Sequence, residues 1–139
     1  MTHLRRMLWA LTLGYWVTLF VFTHLPPSKL PHVNVSDKLE HFLAYGLLSF
    51  MGGVTLWVAF ANRRWVFRVP LLIVVGAAAY GAFDELTQPL THRTCDIHDW
   101  YADCTGALGA AVVLFVFQRY VRLRTSAPAE PSAPAAVPQ

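Results

Sequence analysis

Four long apolar stretches constrain the fold of this chain more than any other feature of its sequence. They cover about residues 7–25, 41–61, 69–88 and 99–119, and each is about 20 residues long. At a rise of about 1.5 Å per residue, a helix of that length crosses most of a hydrocarbon core of about 30 Å. The stretches therefore predict an all-α fold, an integral membrane bundle of four transmembrane helices.

The composition agrees with a lipid environment. Hydrophobic residues make up 55% of the 139 residues and charged residues only 14%, against about 45–50% and about 25% in a typical soluble domain. A small soluble domain exposes much surface for its volume and needs more charge than this, so a soluble enzyme is excluded. The net charge of +3 does not indicate a nucleic-acid partner, because the basic residues form no patch interleaved with exposed aromatic residues.

The chain is predicted to be one membrane domain, residues 1–124, followed by a tail, residues 125–139. The tail is rich in Ala, Pro and Ser, and we predict that it is disordered. A cleaved signal peptide is the alternative interpretation of the first apolar stretch, because Arg5 and Arg6 precede it. That stretch is long for a signal peptide and no small-x-small cleavage site follows it, so a retained helix is favoured.

The basic residues set the predicted orientation of the bundle. Eight of the eleven lie on one side, and the positive-inside rule makes that side, with both termini, cytoplasmic. The eight are Arg5, Arg6, Arg63, Arg64, Arg68, Arg119, Arg122 and Arg124, and the other three are Lys29, Lys38 and Arg93.

Polar residues collect at the opposite, outer end. Seven of the eight acidic residues and five of the six histidines, His32 among them, fall there in this topology. Ser36 is placed to cap the second helix, with Asp37 and Glu40 in its first turn. Helical spacing arranges the polar residues in three stripes that we expect to face the bundle interior: Asp37, His41 and Tyr45; Tyr80, Asp84 and Gln88; and Asp99, Asp103, Gly106 and Ala110.

Two of these carboxylates call for an explanation. A carboxylate within a membrane helix costs about 1–3 kcal/mol depending on depth and is usually functional or paired. A purely structural ion pair of Asp84 or Asp103 with Arg93 or Lys38 is the alternative. We expect that Arg93 bridges the carboxylates of the third and fourth helices and that His41 faces the same cavity.

Established catalytic and metal motifs are absent from the sequence. It has no Gly-x-Ser-x-Gly elbow, no Gly-rich phosphate loop and no His-Glu-x-x-His pattern. No cofactor or metal ligand set is assigned, although His and Asp residues close in sequence leave a divalent cation open. Cys95 and Cys104 are interpreted as two independent thiols, with a disulfide as the alternative.

The polar motifs, in their order along the chain, resemble those of the VanZ-like family of small polytopic bacterial membrane proteins. The resemblance covers about residues 36–110. It is carried by Asp37-Lys38-x-x-His41-Phe42-x-x-Tyr45-x-x-Leu48, Asp84-Glu85-x-x-Gln88, Arg93, Asp96, Asp99-Trp100, Ala102-Asp103 and Gly106-Ala107-x-Gly109. The segment 91–98 departs from the family's more usual short Pro-Gly-Arg turn, so Cys95 and His98 gain no role from it.

The resemblance implies a multi-pass protein of the bacterial cytoplasmic (inner) membrane, associated with the cell envelope, whose shared residues lie at the outer face. The family takes its name from a protein associated with low-level resistance to the glycopeptide teicoplanin. On this basis the ligand-binding residues are predicted to be Asp37, Lys38, His41, Tyr45, Asp84, Glu85, Gln88, Arg93, Asp96, Asp99 and Asp103.

Two classes of function stay open. The outer site either binds an envelope component, such as a lipid-linked cell-wall precursor or a membrane partner protein, or belongs to an intramembrane enzyme acting on a lipid-linked substrate. In the enzyme, Asp84, Glu85 or Asp103 would be the general base and His41 the acid. The sequence contains no identifiable nucleophile, and this favours binding.

The predicted topology can be tested directly. A reporter fused after Arg124 should be active only if it reports on the cytoplasm, because the basic residues hold both termini there. A cysteine placed in the 63–68 loop should stay unlabelled by an impermeant reagent added outside intact cells. Labelling of that loop would contradict the orientation.

Overall fold

The protein is all-helical over the residues that its computed structural model describes, 2–26 and 36–125. Four helices, α1 (Thr2–Thr23), α2 (Asp37–Ala59), α3 (Val69–Thr87) and α4 (Ile97–Thr125), are each long and apolar enough to cross a membrane. Short 3₁₀ helices, Arg64–Arg68 and Gln88–Thr91, flank α3. The predicted all-α membrane bundle is confirmed.

The helix boundaries differ from the predicted ones mainly where charged residues extend a span. Helix α1 begins at Thr2 rather than at residue 7, since Arg5 and Arg6 continue the helix as good helix formers. Helix α4 runs on to Thr125 for the same reason. The predicted disordered tail beyond Thr125, and the outer-side Lys29 and His32, lie outside the described residues.

The start of α2 is fixed by its own sequence. The Ser36 hydroxyl accepts the Leu39 backbone N–H at 3.2 Å, which satisfies one of the free amide groups at the helix start. Asp37 and Glu40 lie in the first turn, where negative charge complements the helix dipole. The predicted cap is confirmed, and it positions the first polar residues of the site.

Contacts between helices establish the up-down-up-down topology. Helices α1 and α2 are antiparallel, because Thr12 meets Thr55 while Tyr15 meets Ala44 further back along α2. Helices α2 and α4 run parallel, since the contact of His41 with Asp103 comes before the contact of Gly46 with Gly106 along both helices. Both ends of the described chain therefore lie at the same end of the bundle, and their assignment to the cytoplasm stays a prediction.

Small residues let α2 and α4 pack most closely. The backbones touch where Gly46 meets Gly106, and a Cβ added to Gly106 would clash with the Phe42 carbonyl oxygen. Ala107 and Ala110 continue this buried face along α4. Close approach of backbones over small residues is a common way for membrane helices to associate, and here it brings the polar residues of α2 and α4 together.

The outer surface of the bundle is apolar. Large hydrophobic side chains such as Leu71, Leu86 and Val112 are more than half exposed along the helices. In water such a surface would be unfavourable, whereas lipid tails solvate it, so the bilayer is the solvent of this surface.

The contact at Gly106 predicts the effect of a single methyl group. Gly106→Ala should lower the free energy of unfolding by about 1–3 kcal/mol, because α2 and α4 must separate to admit the Cβ. Thermal unfolding of the purified protein in detergent measures the effect. Gly109→Ala is the matched control, since a Cβ there meets no atom within 4 Å, and equal destabilisation by both variants would contradict this packing.

Candidate functional site

The centre of the polar end is a buried histidine–aspartate pair between α2 and α4. The His41 Nδ1–H donates to Asp103 Oδ1 at 2.9 Å, and both residues are buried, Asp103 completely. The contact of Gly46 with Gly106, about one turn deeper in the bundle, brings the two helices close enough for this hydrogen bond. Tyr45, also fully buried, stacks on the His41 ring with centroids 6.3 Å apart.

Helix α3 adds two further buried carboxylates. Asp84 is fully buried and accepts the Thr23 hydroxyl at 2.9 Å and the Gln88 amide at 3.5 Å. Glu85 accepts the Gln88 amide at 3.1 Å and, through its second oxygen, the Asp96 backbone N–H at 2.9 Å. Gln88 therefore bridges both carboxylates, and Glu85 ties α3 to the start of α4.

The Asp103 carboxylate is enclosed by α3 as well. Gly81 lies against it, and a Cβ added to Gly81 would lie 2.9 Å from Asp103 Oδ2. The Trp100 indole N–H donates to the Ala78 carbonyl at 2.9 Å, which fixes α3 and α4 at this level. His41, Asp84, Glu85 and Asp103, with Tyr45, are called the inner cluster below.

An outer layer of ion pairs covers the inner cluster. Lys38 contacts Asp96 and Asp99, each at 3.0 Å. Asp96 also accepts the backbone N–H and the ring N–H of His98, at 2.9 and 2.8 Å. The His98 amide and the Lys38 ammonium hold the pKa of Asp96 well below its ordinary value. Its lowered pKa keeps Asp96 ionised at neutral and mildly acidic pH. The stabilisation that Asp96 gives the folded protein through Lys38 and His98 is therefore lost only in strong acid.

The expected Arg93 bridge between the third and fourth helices is wrong. Arg93 donates instead to the Phe22 carbonyl at 3.5 Å and lies 3.9 Å from Asp37. The last carbonyls of a helix have no partner within it and carry partial negative charge, so the end of α1 attracts a cation. Asp103 is paired with His41 and Asp84 with Thr23, so neither carboxylate depends on Arg93.

The structure brings most of the predicted site residues together. Of the predicted set, Asp37 is exposed at the rim of the polar end and Arg93 lies beside it, while Glu40, predicted only as a first-turn residue, is exposed and has no part in the cluster. Gln88 bridges two carboxylates of the inner cluster. The remaining predicted residues lie in the inner cluster or the outer layer: Lys38, His41, Tyr45, Asp84, Glu85, Asp96, Asp99 and Asp103. Cys95 and Cys104 are free thiols, as the favoured interpretation had it.

Sequence reasoning missed the contribution of α1. Thr23 reaches Asp84, and His24 lies 3.6 Å from the same carboxylate and 3.0 Å from the Thr87 hydroxyl. The available signal was the pair of polar residues that ends an otherwise apolar helix just before Pro26. The end of α1 therefore forms one wall of the site.

Two buried polar atoms in the inner cluster have no partner among the described residues. They are Asp103 Oδ2 and the Tyr45 hydroxyl. The Tyr45 hydroxyl is within electrostatic range of Asp84 and Asp103 without meeting the geometry of a hydrogen bond. Unpaired buried polar atoms are uncommon and call for a ligand, a water molecule or a functional role.

The fold and the site together define a small polytopic membrane protein with an acidic, histidine-containing polar end. The family model described as VanZ/LLP1 matches residues 5–118, and the chain belongs to the VanZ-like family. Neither the curated proteins nor the solved structures contain a match to it. The match extends over α1, which the motifs recognised in the sequence had not covered.

The His41–Asp103 pair makes a prediction about stability. Asp103→Ala should lower the free energy of unfolding by about 1–3 kcal/mol, because the buried His41 N–H loses its acceptor. Asp103→Asn keeps an acceptor oxygen and should cost less than about 1 kcal/mol. Thermal unfolding in detergent measures both changes, with Glu40→Gln as an exposed control on α2. Equal stability of the Ala and Asn variants would show that the pair does not stabilise the bundle.

Proposed function

We propose that the polar end binds the headgroup of a cell-envelope component, such as a lipid-linked cell-wall precursor, whose hydrocarbon chain lies in the bilayer beside the bundle. The observation that carries this proposal is a buried polar cluster at one end of a bundle whose sides are apolar. Burying Asp84 and Asp103 completely is unfavourable for folding alone. A functional role explains why such residues occupy the interior.

The outer layer offers groups that suit an anionic headgroup. The Lys38 side chain is 51% exposed and Arg93 lies at the rim near Asp37, so both can contact phosphate or carboxylate. Their present partners belong to the chain itself: Lys38 contacts the carboxylates of Asp96 and Asp99, and Arg93 contacts the Phe22 carbonyl and Asp37. A headgroup would therefore have to displace these partners from Lys38 and Arg93, because neither cation is unpaired.

The surface beside the site suits the lipid chain. Leu86 and Leu90, which follow the α3 carboxylates in sequence, are 73% and 80% exposed, and Leu39 and Phe42 flank His41 on the lipid side of α2. An apolar chain can lie along these residues while its polar head enters the site. Binding of a cell-wall precursor in this manner would also link the protein to glycopeptide (teicoplanin) susceptibility.

A second candidate function is supported by the geometry of His41. An imidazole held by a carboxylate at Nδ1 is the arrangement used for general acid–base chemistry, and here the distance is 2.9 Å. Among residues 2–26 and 36–125, no Ser, Thr or Cys is hydrogen-bonded to His41. An intramembrane enzyme built on this pair would therefore have to activate water, and binding stays the favoured function.

Native mass spectrometry of the detergent-extracted protein tests the proposal. The probes are a polyprenyl diphosphate carrying a disaccharide–pentapeptide, a polyprenyl phosphate, and phosphatidylglycerol as the bulk-lipid comparison. We expect selective retention of one polyprenyl lipid. Asp84→Asn and His41→Gln should weaken it by about tenfold or more, equivalent to about 1.4 kcal/mol, because each removes a group from the inner cluster.

The controls separate binding from folding and from turnover. Glu40→Gln should bind as the unaltered protein does, since Glu40 is exposed and outside the cluster. A change in the mass of the bound lipid during incubation would identify the enzyme instead. Full retention by the Asp84, His41 and Asp103→Asn variants would end the case for a binding site at the polar end.

A further inference from the structure

The inner cluster contains more carboxyl groups than basic partners among the described residues. Glu85 and Asp103 are both buried, at 3% and 0% exposure, and among the described residues the only basic side chain near both is the imidazole of His41. Within the described ranges, Lys38 is committed to Asp96 and Asp99, and Arg93 lies against α1. Buried charges in proteins are paired or coordinate metal ions, and pairing is incomplete here.

The donor atoms of this group are close enough to share one ion. One ring nitrogen of His41 and one carboxylate oxygen each of Glu85 and Asp103 lie within 4.8 Å of one another. Metal–ligand bonds of about 2.0–2.3 Å place ligand atoms about 3–4.5 Å apart. Small rotations of these side chains therefore suffice to surround a cation.

An independent observation points into the same space. Asp103 Oδ2 is fully buried and has no partner in the described part of the chain, and it lies against Gly81, where an added Cβ would be 2.9 Å from it. Because Gly81 has no side chain, α3 places no group of its own against this oxygen at that position. Asp103 thus keeps one oxygen for His41 and one for a ligand.

We propose that His41, Glu85 and Asp103 bind a divalent transition-metal ion of the Mn²⁺ or Zn²⁺ type. One imidazole nitrogen and two carboxylate oxygens suit such an ion better than a purely oxygen-binding one. Three protein ligands leave coordination positions open, as in metal sites that also hold water or substrate.

The ion gives the acidic cluster a means of holding a negatively charged headgroup. Carboxylates alone repel phosphate, whereas a divalent cation bound by them presents open positions to its oxygens. Phosphate binding through the metal ion deepens the proposed function and rests on it. Metal binding alone does not depend on the proposed function.

A second group near the surface is the rival location. Asp37, Asp99 and the same His41 also place ligand atoms within 4.8 Å of one another. Asp37 is exposed and Asp99 is already paired with Lys38 at 3.0 Å. We therefore assign the ion to the inner group, and the variants below separate the two.

Titration of the full-length, chelator-treated protein in detergent with MnCl₂ and ZnCl₂, followed by calorimetry, tests the assignment. We expect saturable binding of one ion of at least one of the two metals. Glu85→Gln and Asp103→Asn should each weaken it about 100-fold or more, since even changes outside the ligand shell cost about 10–100-fold. Glu40→Gln, Asp37→Asn and Asp99→Asn should retain it. No saturable binding, binding that survives both inner variants, or loss confined to the Asp37 and Asp99 variants would overturn the proposal.

A measurement on the unaltered protein guards against variants that fail to fold. Pulsed electron paramagnetic resonance of the Mn²⁺-loaded protein should show coupling to one imidazole ¹⁴N, and its absence overturns a site that includes His41. Lipid retention is then measured by native mass spectrometry with and without the ion. Lipid retention without metal binding would defeat this inference alone, and metal binding without lipid retention would defeat the proposed function alone.

Discussion

A carboxylate placed inside a bilayer must be surrounded by protein groups, and much of this structure follows from that requirement. Asp103 lies inside α4, so another helix must supply its partner at close range. His41 can do so because Gly46 and Gly106 allow the backbones of α2 and α4 to touch. Gly81 then allows α3 to close the third side. The glycines of the fold and the acids of the site are thus parts of one arrangement.

The sequence predicted the features that depend on helical periodicity. The lengths of the apolar stretches predicted the four spans. The spacing of Asp99, Asp103 and Gly106 predicted which face of α4 turns inward. Periodicity does not determine with which of several neighbouring groups a charged side chain pairs. Arg93 was expected between two carboxylates, yet it donates instead to the Phe22 carbonyl at the end of α1, where the helix dipole places partial negative charge. Thr23 was overlooked because a single hydroxyl at a helix end differs little from an ordinary surface residue.

The polar end combines two layers with different chemistry. The outer layer, formed around Lys38, consists of ion pairs that water reaches at Lys38 and Asp96 and that a headgroup can replace. The inner cluster is shielded from solvent, where electrostatic interactions are stronger and an unbalanced charge is more costly. A ligand that reaches from one layer to the other would have its charged head recognised outside and its orientation determined inside. The proposed metal ion would lie at the inner limit of such a ligand.

Helix α1 contributes both core packing and polar contacts to the bundle, because Leu19 is buried against Tyr45, Ala77 and Ala107 of the other three helices. Its contacts include isolated hydrogen bonds, from Thr12 to Thr55, from Tyr15 to Ala44 and from Thr23 to Asp84, and each such bond within a membrane is worth only about 0.6 kcal/mol on average. Helices α2, α3 and α4 share the buried residues around Leu114 without it. A first span that is inserted but not packed against the others would therefore leave Asp84 without its hydroxyl partner, since that partner, Thr23, is the last residue of α1.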